Sequence, residues 1–278
     1  MATFLILGGT GKVGRRLSAS LTRAGHVARP VSRNSPVRFD WADESTWPTA
    51  LEGADGMFIV GPGSAADWSP RLARLLAAAK PTGVRHVVLL SSRGVEFLPG
   101  GAVAKAEQAL REGPVAWTIL RPSHFSQNFT EAMFTPVNGL ILAPVRTGTE
   151  PFIDVADIAD VAAAVLAGSD AYAGATLDLS GPEAVGFTEV AEILTGVSGT
   201  PVRFADESDD AHVARLRTAG TPEGYVKWRM AMLGGIRRGE DAYLSDGVQR
   251  VLGRPATDFH EWARREVPAA GWTRGAVT

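Results

Sequence analysis

The stretch Gly8-Gly9-Thr10-Gly11-Lys12-Val13-Gly14 carries the clearest chemical content of this chain. Glycines spaced GxxGxxG between an apolar run and an amphipathic one let the backbone turn tightly, and let an anion approach the amides of a helix N-terminus. In that setting the anion is a pyrophosphate, the middle of a dinucleotide. About twenty residues further on, a site for an unphosphorylated ribose carries an acid. Here the chain has Ser32, Arg33 and Asn34, with Arg29 upstream. A guanidinium at Arg33 suits a 2′-phosphate, each charge-assisted hydrogen bond contributing roughly 1.5–3 kcal/mol. Asp40 and Trp41 follow, where Asp40 has the chemistry to accept from an adenine amino group while Trp41 either packs beside it or belongs to the core. Other chemistries are thinly represented. There is no cysteine, which removes disulfides, thiolate metal sites and thiol nucleophiles. The histidines, at 26, 86, 124, 212 and 260, have no pair spaced to share a helix face as zinc ligands, so no metal is expected.

The glycine turn needs a strand before it and a helix after it. Residues 3–7 are apolar and stop at Gly8, and from Lys12 to Ala24 the residues Val13, Leu17 and Leu21 share one helical face. The alternation continues with strands over 27–31, 37–39, 57–60, 86–90 and 116–120, and helices over about 46–51, 69–79 and 103–111. Strands alternating with helices indicate crossover connections and a buried parallel sheet. The expected fold is α/β, a Rossmann-type doubly wound sheet. Beyond about Phe125 the rhythm breaks at Pro136, Pro144, Gly148 and Pro151. A helix over 155–167 is opened by Asp154, with Asp157 in its first turn. Further helices are expected over 188–195, 211–218, 223–237, 246–252 and 259–267, so the C-terminal part is smaller and mostly helical.

Composition bounds the rest. The chain has 278 residues, 45% hydrophobic and 21% charged, with a formal net charge of −2. Those figures are those of a globular protein, and the absence of a basic run argues against nucleic acid as a ligand. No segment approaches the ~18 apolar residues of a membrane span and no leader pattern precedes the first strand, so a cytoplasmic protein away from membranes is expected.

Taken together with SerSerArgGly from Ser91, Lys105, the segment WTILRPSHFSQNF from Trp117, FIDVADIADVAAAVL from Phe152 and LDLSGPEAVGFTEVAEIL from Leu177, the glycine motif resembles the NmrA-like branch of atypical short-chain dehydrogenases. The likeness covers nearly the whole chain. It implies an NADP(H) site on a core over residues 1–130 and a smaller substrate-binding part over 131–278, with a segment of about 151–182 returning to the core sheet. By position, Gly8, Thr10, Gly11, Lys12, Val13 and Gly14 fall on the pyrophosphate loop, Arg33 on the 2′-phosphate contact and Asp40 on the adenine contact. Gly61 and Pro62 would flank the adenine ribose, Ser91 would lie beside the nicotinamide, and Lys105 matches a lysine that steadies the nicotinamide ribose. One departure stands out: the standard short-chain pattern has a tyrosine four residues before that lysine, and this chain has Gly101.

Reducing a simple ketone makes a basic alkoxide that needs a placed acid, whereas a quinone, a dye cation or an iminium gives a delocalised or neutral product. Without the tyrosine, the expected substrate is small, aromatic or conjugated, and electron-poor. Lys105, Ser91, Ser92 and His124 remain as local donors. For Lys105 an ordinary helix surface position, and for His124 a packed position, stand as alternatives. Phe125, Phe129, Phe134, Tyr225, Trp228 and Met232 offer either a pocket lining or core packing. A monomer or a homodimer fits equally. A cofactor-binding redox sensor acting through a protein partner is the alternative function.

Overall fold

Five-residue apolar runs separated by helical spacers define the first half of the chain. The computed structural model describes residues 1–63 and 66–270. Its first half contains β1 (Thr3–Leu7), α1 (Lys12–Arg23), β2 (Val27–Val31), α2 (Trp47–Leu51), β3 (Gly56–Val60), α3 (Ser69–Ala79), β4 (His86–Leu90), α4 (Ala102–Arg111) and β5 (Ala116–Pro122). There follow α5 (Asn128–Glu131), β6 (Leu140–Ala143), β7 (Thr149–Glu150), α6 (Val155–Ala167), α7 (Ser169–Tyr172) and β8 (Ala175–Leu179). The remainder is β9 (Val185–Gly186), α8 (Phe187–Ser198), β10 (Arg203–Asp206), α9 (Asp209–Thr218), α10 (Glu223–Arg237), α11 (Gly247–Leu252) and α12 (Phe259–Glu266). No helix among the described residues is long and apolar enough to cross a membrane.

The chain divides into two compact units. The first comprises Met1–Pro122, Val155–Leu179 and Gly247–Arg254. Its six-stranded sheet has the order β2-β1-β3-β4-β5-β8, every pairing parallel. Successive side chains of a strand point to opposite faces. On one face Leu5, Leu7, Met57, Ile59, Val87 and Leu89 pack with Leu72, Leu75 and Leu76 of α3 and with Ala106 and Leu110 of α4. Helix α1 buries Val13, Leu17 and Leu21 as its spacing predicts, and it is joined to α6 where the Ser20 hydroxyl donates to Asp160 Oδ1 at 2.6 Å. The expected third strand over 37–39 is reduced to one parallel bridge between Ser32 and Arg38. The cause is Ser35, whose hydroxyl accepts from the Ser32 amide at 2.7 Å and donates to the Val37 carbonyl at 2.6 Å, folding the segment too tightly for a ladder.

The second unit comprises Ser123–Asp154, Ser180–Asp246 and the chain from Pro255 onward. It contains two short sheets, β10 parallel to β6 and β7 antiparallel to β9. The interrupted apolar runs of this region gave no sign of them. Its core is aromatic: the Phe129 ring lies 5.0 Å from Phe152, 5.2 Å from Phe134 and 5.5 Å from Phe259. The division differs from the expected 1–130 and 131–278, whose last residues, 271–278, lie outside the described ones. Residues 123–130 belong to the second unit because Ser123 Oγ donates to the Pro151 carbonyl and the Ser126 amide to that of Ile153. Residues 247–254 belong to the first, where Gly247 lies so close to the Asp178 carbonyl that a Cβ would stand 2.2 Å from it.

Candidate cofactor-binding site

The carboxyl ends of parallel strands are where open α/β sheets bind ligands, and the first unit places most of its candidate residues there. After β1, Gly8 adopts φ +75°, a left-handed conformation that glycine reaches without strain. The glycines of the turn have different reasons to be glycine. A Cβ on Gly14 would stand 2.4 Å from the Gly8 carbonyl oxygen and 2.7 Å from the Gly9 Cα, so Gly14 is fixed by the turn itself. A Cβ on Gly11 would meet only the Gly8 oxygen, at 3.2 Å. Gly11 is exposed, its φ of −76° is open to any residue, and it heads α1 without a side-chain cap or an acid in the first turn. The amides beyond it form an anion-receptive helix start. Thr10 is exposed beside Gly11, Lys12 is half-buried, and Val13 belongs to the core.

Arg33 follows β2, exposed and without an ion pair or hydrogen bond among the described residues. Arg29 is committed elsewhere, donating to the Ala50 and Glu52 carbonyls. Asp40 is also engaged: Oδ1 accepts from the Ala42 amide at 2.9 Å and Oδ2 pairs with Arg38 at 3.3 Å. An adenine amino group there would share an occupied carboxylate. Trp41 is half-buried, edge-on to Phe39 at 5.4 Å and to Trp68 at 5.3 Å. Gly61 and Pro62 follow β3, and a Cβ on Gly61 would come within 2.7 Å of the Trp68 ring, so indole packing already requires this glycine.

Ser91 follows β4 and meets a buried acid. Its hydroxyl donates to Glu107 Oε1 at 2.5 Å. Glu107 is buried on α4 and also receives Arg121 through Nε at 2.8 Å and Nη2 at 2.6 Å, and Arg111 at 2.9 Å. Burial alone would raise the Glu107 carboxyl, but the hydrogen bonds from Arg121 and Ser91 and the Arg121 charge outweigh it and hold the pKa below the ordinary value. The sequence did carry a signal, because Glu107 sits among Val103, Ala106 and Leu110 on the apolar stripe of α4, where an acid demands partners. Lys105 lies on the same helix, exposed and paired with Asp67 at 2.9 Å. Hydrogen bonds from Ser69 and Lys105 bring the Asp67 carboxyl down to about 2. A pair this exposed contributes about 0–1 kcal/mol, so Lys105 exchanges partners at small cost. At Gly101, the N-cap of α4, a Cβ would meet the Leu98 carbonyl at 3.0 Å.

Comparison with known proteins places this site in context. A family profile described as NAD(P)H-binding matches residues 8–169, more than half of the chain. The uncharacterized oxidoreductase YesF of Bacillus subtilis is 32% identical over 97% of this chain and 96% of its own. The chain belongs to the NAD(P)H-binding NmrA-like family. Its relatives include NAD(P)H-dependent reductases of the atypical short-chain dehydrogenase type. A (4-alkanoyl-5-oxo-2,5-dihydrofuran-3-yl)methyl phosphate reductase of Streptomyces griseus is 32% identical over 95% of this chain and 98% of its own. An NAD(P)H azoreductase of Xenophilus azovorans is 28% identical over 96% and 99%. The fold is that of the triphenylmethane reductase of Citrobacter sp. in complex with NADP(H), with a TM-score of 0.78 at 21% identity over 96% of this chain and all of the other.

In this NmrA-like chain the remaining candidates lie in the second unit. Phe129 has no exposed surface and is a core ring, whereas Phe125, Tyr225 and Trp228 are half-buried, the last two with ring centroids 5.3 Å apart. Arg229 donates from Nε to His212 Nε2 at 2.9 Å, so His212 carries its proton on Nδ1 and donates it to Glu207 at 2.6 Å. His124 meets two buried acids brought in from distant segments: Nδ1 lies 3.3 Å from Glu150 Oε1 and 3.8 Å from Asp241 Oδ2, and ligand-type atoms of the three lie within 4.8 Å of one another. Spacing along single helices does not reveal this cluster, whose members come from separate segments of the chain. Burial by itself would lower the His124 pKa, yet the charge and hydrogen bond of Glu150 and the charge of Asp241 raise it overall, against opposition from Arg229. The two acids beside the ring favour its protonated form. Asp154, ahead of α6, is also buried and receives Gln127 Nε2 at 2.7 Å and the Arg265 guanidinium.

Proposed function

We propose that this protein transfers a hydride from NADPH, in preference to NADH, to a small electron-poor conjugated acceptor such as a quinone, an azo or triphenylmethane dye, or an iminium. The observation that carries the reading is that, among the described residues, no tyrosine or free hydroxyl proton is held ready beside Ser91. Position 101 is glycine, and the Ser91 proton is directed into the Glu107 carboxylate. Hydride transfer then has to end in a product that is neutral or delocalised enough to take its proton from water.

The names of relatives support an acceptor of this kind. The dihydrofuran named for the Streptomyces reductase has a ring alkene conjugated to two carbonyl groups, and the azoreductase is named for a conjugated nitrogen pair. The cofactor reading rests on Arg33, the guanidinium past β2 that has no protein partner among the described residues. In this reading Gly11 admits the pyrophosphate to the amides of α1, and Lys105, released from Asp67, steadies a ribose.

The test is NADPH oxidation with a quinone, a dye cation, an iminium and an aliphatic ketone at matched concentrations. The conjugated acceptors are expected to turn over and the ketone to lag far behind. Equal rates with the ketone would sink the acceptor reading. Tight NADPH binding with no turnover of any acceptor would replace it with a cofactor sensor that acts through a protein partner.

A further inference from the structure

The hydroxyl of Ser91 has one proton and two acceptor positions. Its proton goes to Glu107 Oε1 at 2.5 Å, and its amide goes to the Leu120 carbonyl at 2.8 Å. Reversal would require Glu107 to be the donor. That carboxylate already faces three guanidinium N–H groups, two from Arg121 and one from Arg111, and these hold it ionised. Among the described residues nothing donates to Ser91 Oγ. The oxygen therefore stands at the carboxyl end of β4 with its lone pairs open, in a residue only 6% exposed. A ligand group that settles there has to bring its own donor, because a carbonyl oxygen would meet another oxygen.

Position along the sheet says which part of a dinucleotide this is. The chain reverses direction across the sheet after β2, so β1 and β3 flank the switch point, and a dinucleotide lies across it over the strand ends. Arg33 and Asp40 occupy the β2 side, where the adenosine half belongs. The nicotinamide half then falls toward β4. Its carboxamide is the part of the ring system that carries N–H donors.

We infer that Ser91 is a fixed hydrogen-bond acceptor for the nicotinamide carboxamide N–H, and that Glu107 is the positioning residue that keeps the Ser91 proton turned away. This rests on the cofactor reading above and goes beyond it by assigning the direction of a hydrogen bond. Ser91 in this role orients the ring that gives up the hydride and delivers no proton itself.

The experiment compares NADPH with its 3-acetylpyridine analogue, in which a methyl group replaces the amide nitrogen and leaves no donor. Dissociation constants are measured for wild type, Ser91→Ala and Glu107→Gln, each shown to be folded by circular dichroism and cooperative melting. Ser91→Ala is expected to weaken NADPH by about five- to tenfold, the worth of one hydrogen bond, and to leave the analogue unchanged. Glu107→Gln should lower the preference for NADPH over the analogue by a few-fold, since a neutral amide no longer fixes the hydroxyl proton. A ratio of two affinities is insensitive to global destabilisation, so a merely structural role for Glu107 would not move it. Equal weakening of both ligands by Ser91→Ala, or no weakening of either, would overturn the inference. So would a Ser91→Ala variant with unchanged affinities and a rate lost at saturating NADPH, the mark of a proton donor. Failure of the wild type to bind NADPH would instead defeat the cofactor reading on which the inference stands.

Discussion

Gly11 and Gly14 separate the needs of the fold from those of the ligand. Alanine at 14 would put its Cβ 2.4 Å from the Gly8 carbonyl oxygen and 2.7 Å from the Gly9 Cα. Neither neighbour is a side chain that can rotate away, so the turn and the start of α1 have to part by about 1 Å from an ordinary van der Waals separation. Overpacking of that kind costs about 1–3 kcal/mol and distorts the anion-binding amides as well. Alanine at 11 would touch the Gly8 oxygen at 3.2 Å, at a backbone angle open to any residue. Its cost in stability is about 0.5–1 kcal/mol, mostly the poorer N-cap. In the proposed site its Cβ nevertheless occupies the face from which a pyrophosphate would reach the helix amides. Equilibrium urea unfolding and NADPH titration of both variants read the two effects separately. Gly11→Ala should be nearly as stable as wild type with NADPH affinity lower by at least tenfold, while Gly14→Ala should lose in both measurements. Wild-type NADPH affinity in Gly11→Ala would refute the assignment of the turn to a pyrophosphate, and wild-type stability in Gly14→Ala would refute the steric argument.

Arg33→Ala should reduce NADPH affinity about tenfold and leave NADH untouched, because one exposed charge-assisted contact to a 2′-phosphate is worth about 1.5 kcal/mol; equal loss for both cofactors in parallel titrations would contradict it. Glu107→Ala strands Arg121 and Arg111 and is expected to destabilise by about 3–5 kcal/mol in denaturant unfolding, where a loss under 1 kcal/mol would show the network to be idle. The depressed Glu107 pKa contributes stability that is present above its unfolded value and is lost as pH falls through the folded one. His124 has the opposite sign: its raised pKa contributes stability below the ordinary histidine value of about 6.5, lost as pH climbs through the folded value. His212 is pushed down, chiefly by burial, so its contribution is lost on the other side, as pH falls below the ordinary value through the folded one. The contribution of His124 is read as the stability difference between wild type and His124→Gln, expected to shrink as pH rises above about 6.5; a flat difference would mean that Glu150 and Asp241 do not favour the protonated ring.

Local periodicity made most secondary elements of the first unit legible, because strands such as β1, β3 and β4 are buried under helices that carry their own apolar stripe. Helix α6 and helix α10 begin and end where their spacing says they do. The segment at 37–39 misled because three residues carry β-propensity without showing that Ser35 would turn the chain back on itself. The boundary near residue 122 was not legible either, since the bonds of Ser123, Ser126 and Gln127 go to residues 151–154, a pairing that no local pattern announces. The glycine turn, Arg33 and Ser91 were readable from spacing or likeness, but the partners that decide what they do were not. Gly61 is glycine at least for Trp68, and Asp40 is already engaged by Ala42 and Arg38. Glu107 was visible as an acid on an apolar stripe, yet its meaning depends on Arg121, which comes from strand β5. His124, Glu150 and Asp241 lie far apart in the chain, and only the fold assembles them.

Hydride transfer without a placed acid is tested most directly by isotope effects in a single turnover, with NADPH saturating and a quinone as acceptor. Deuterium at C4 of the nicotinamide should slow the reaction, while replacing water with heavy water should leave the same step almost unchanged, since no proton moves with the hydride. A large solvent isotope effect on the hydride step, multiplying the one on C4, would mean that a residue of this protein delivers the proton in concert and would contradict the account.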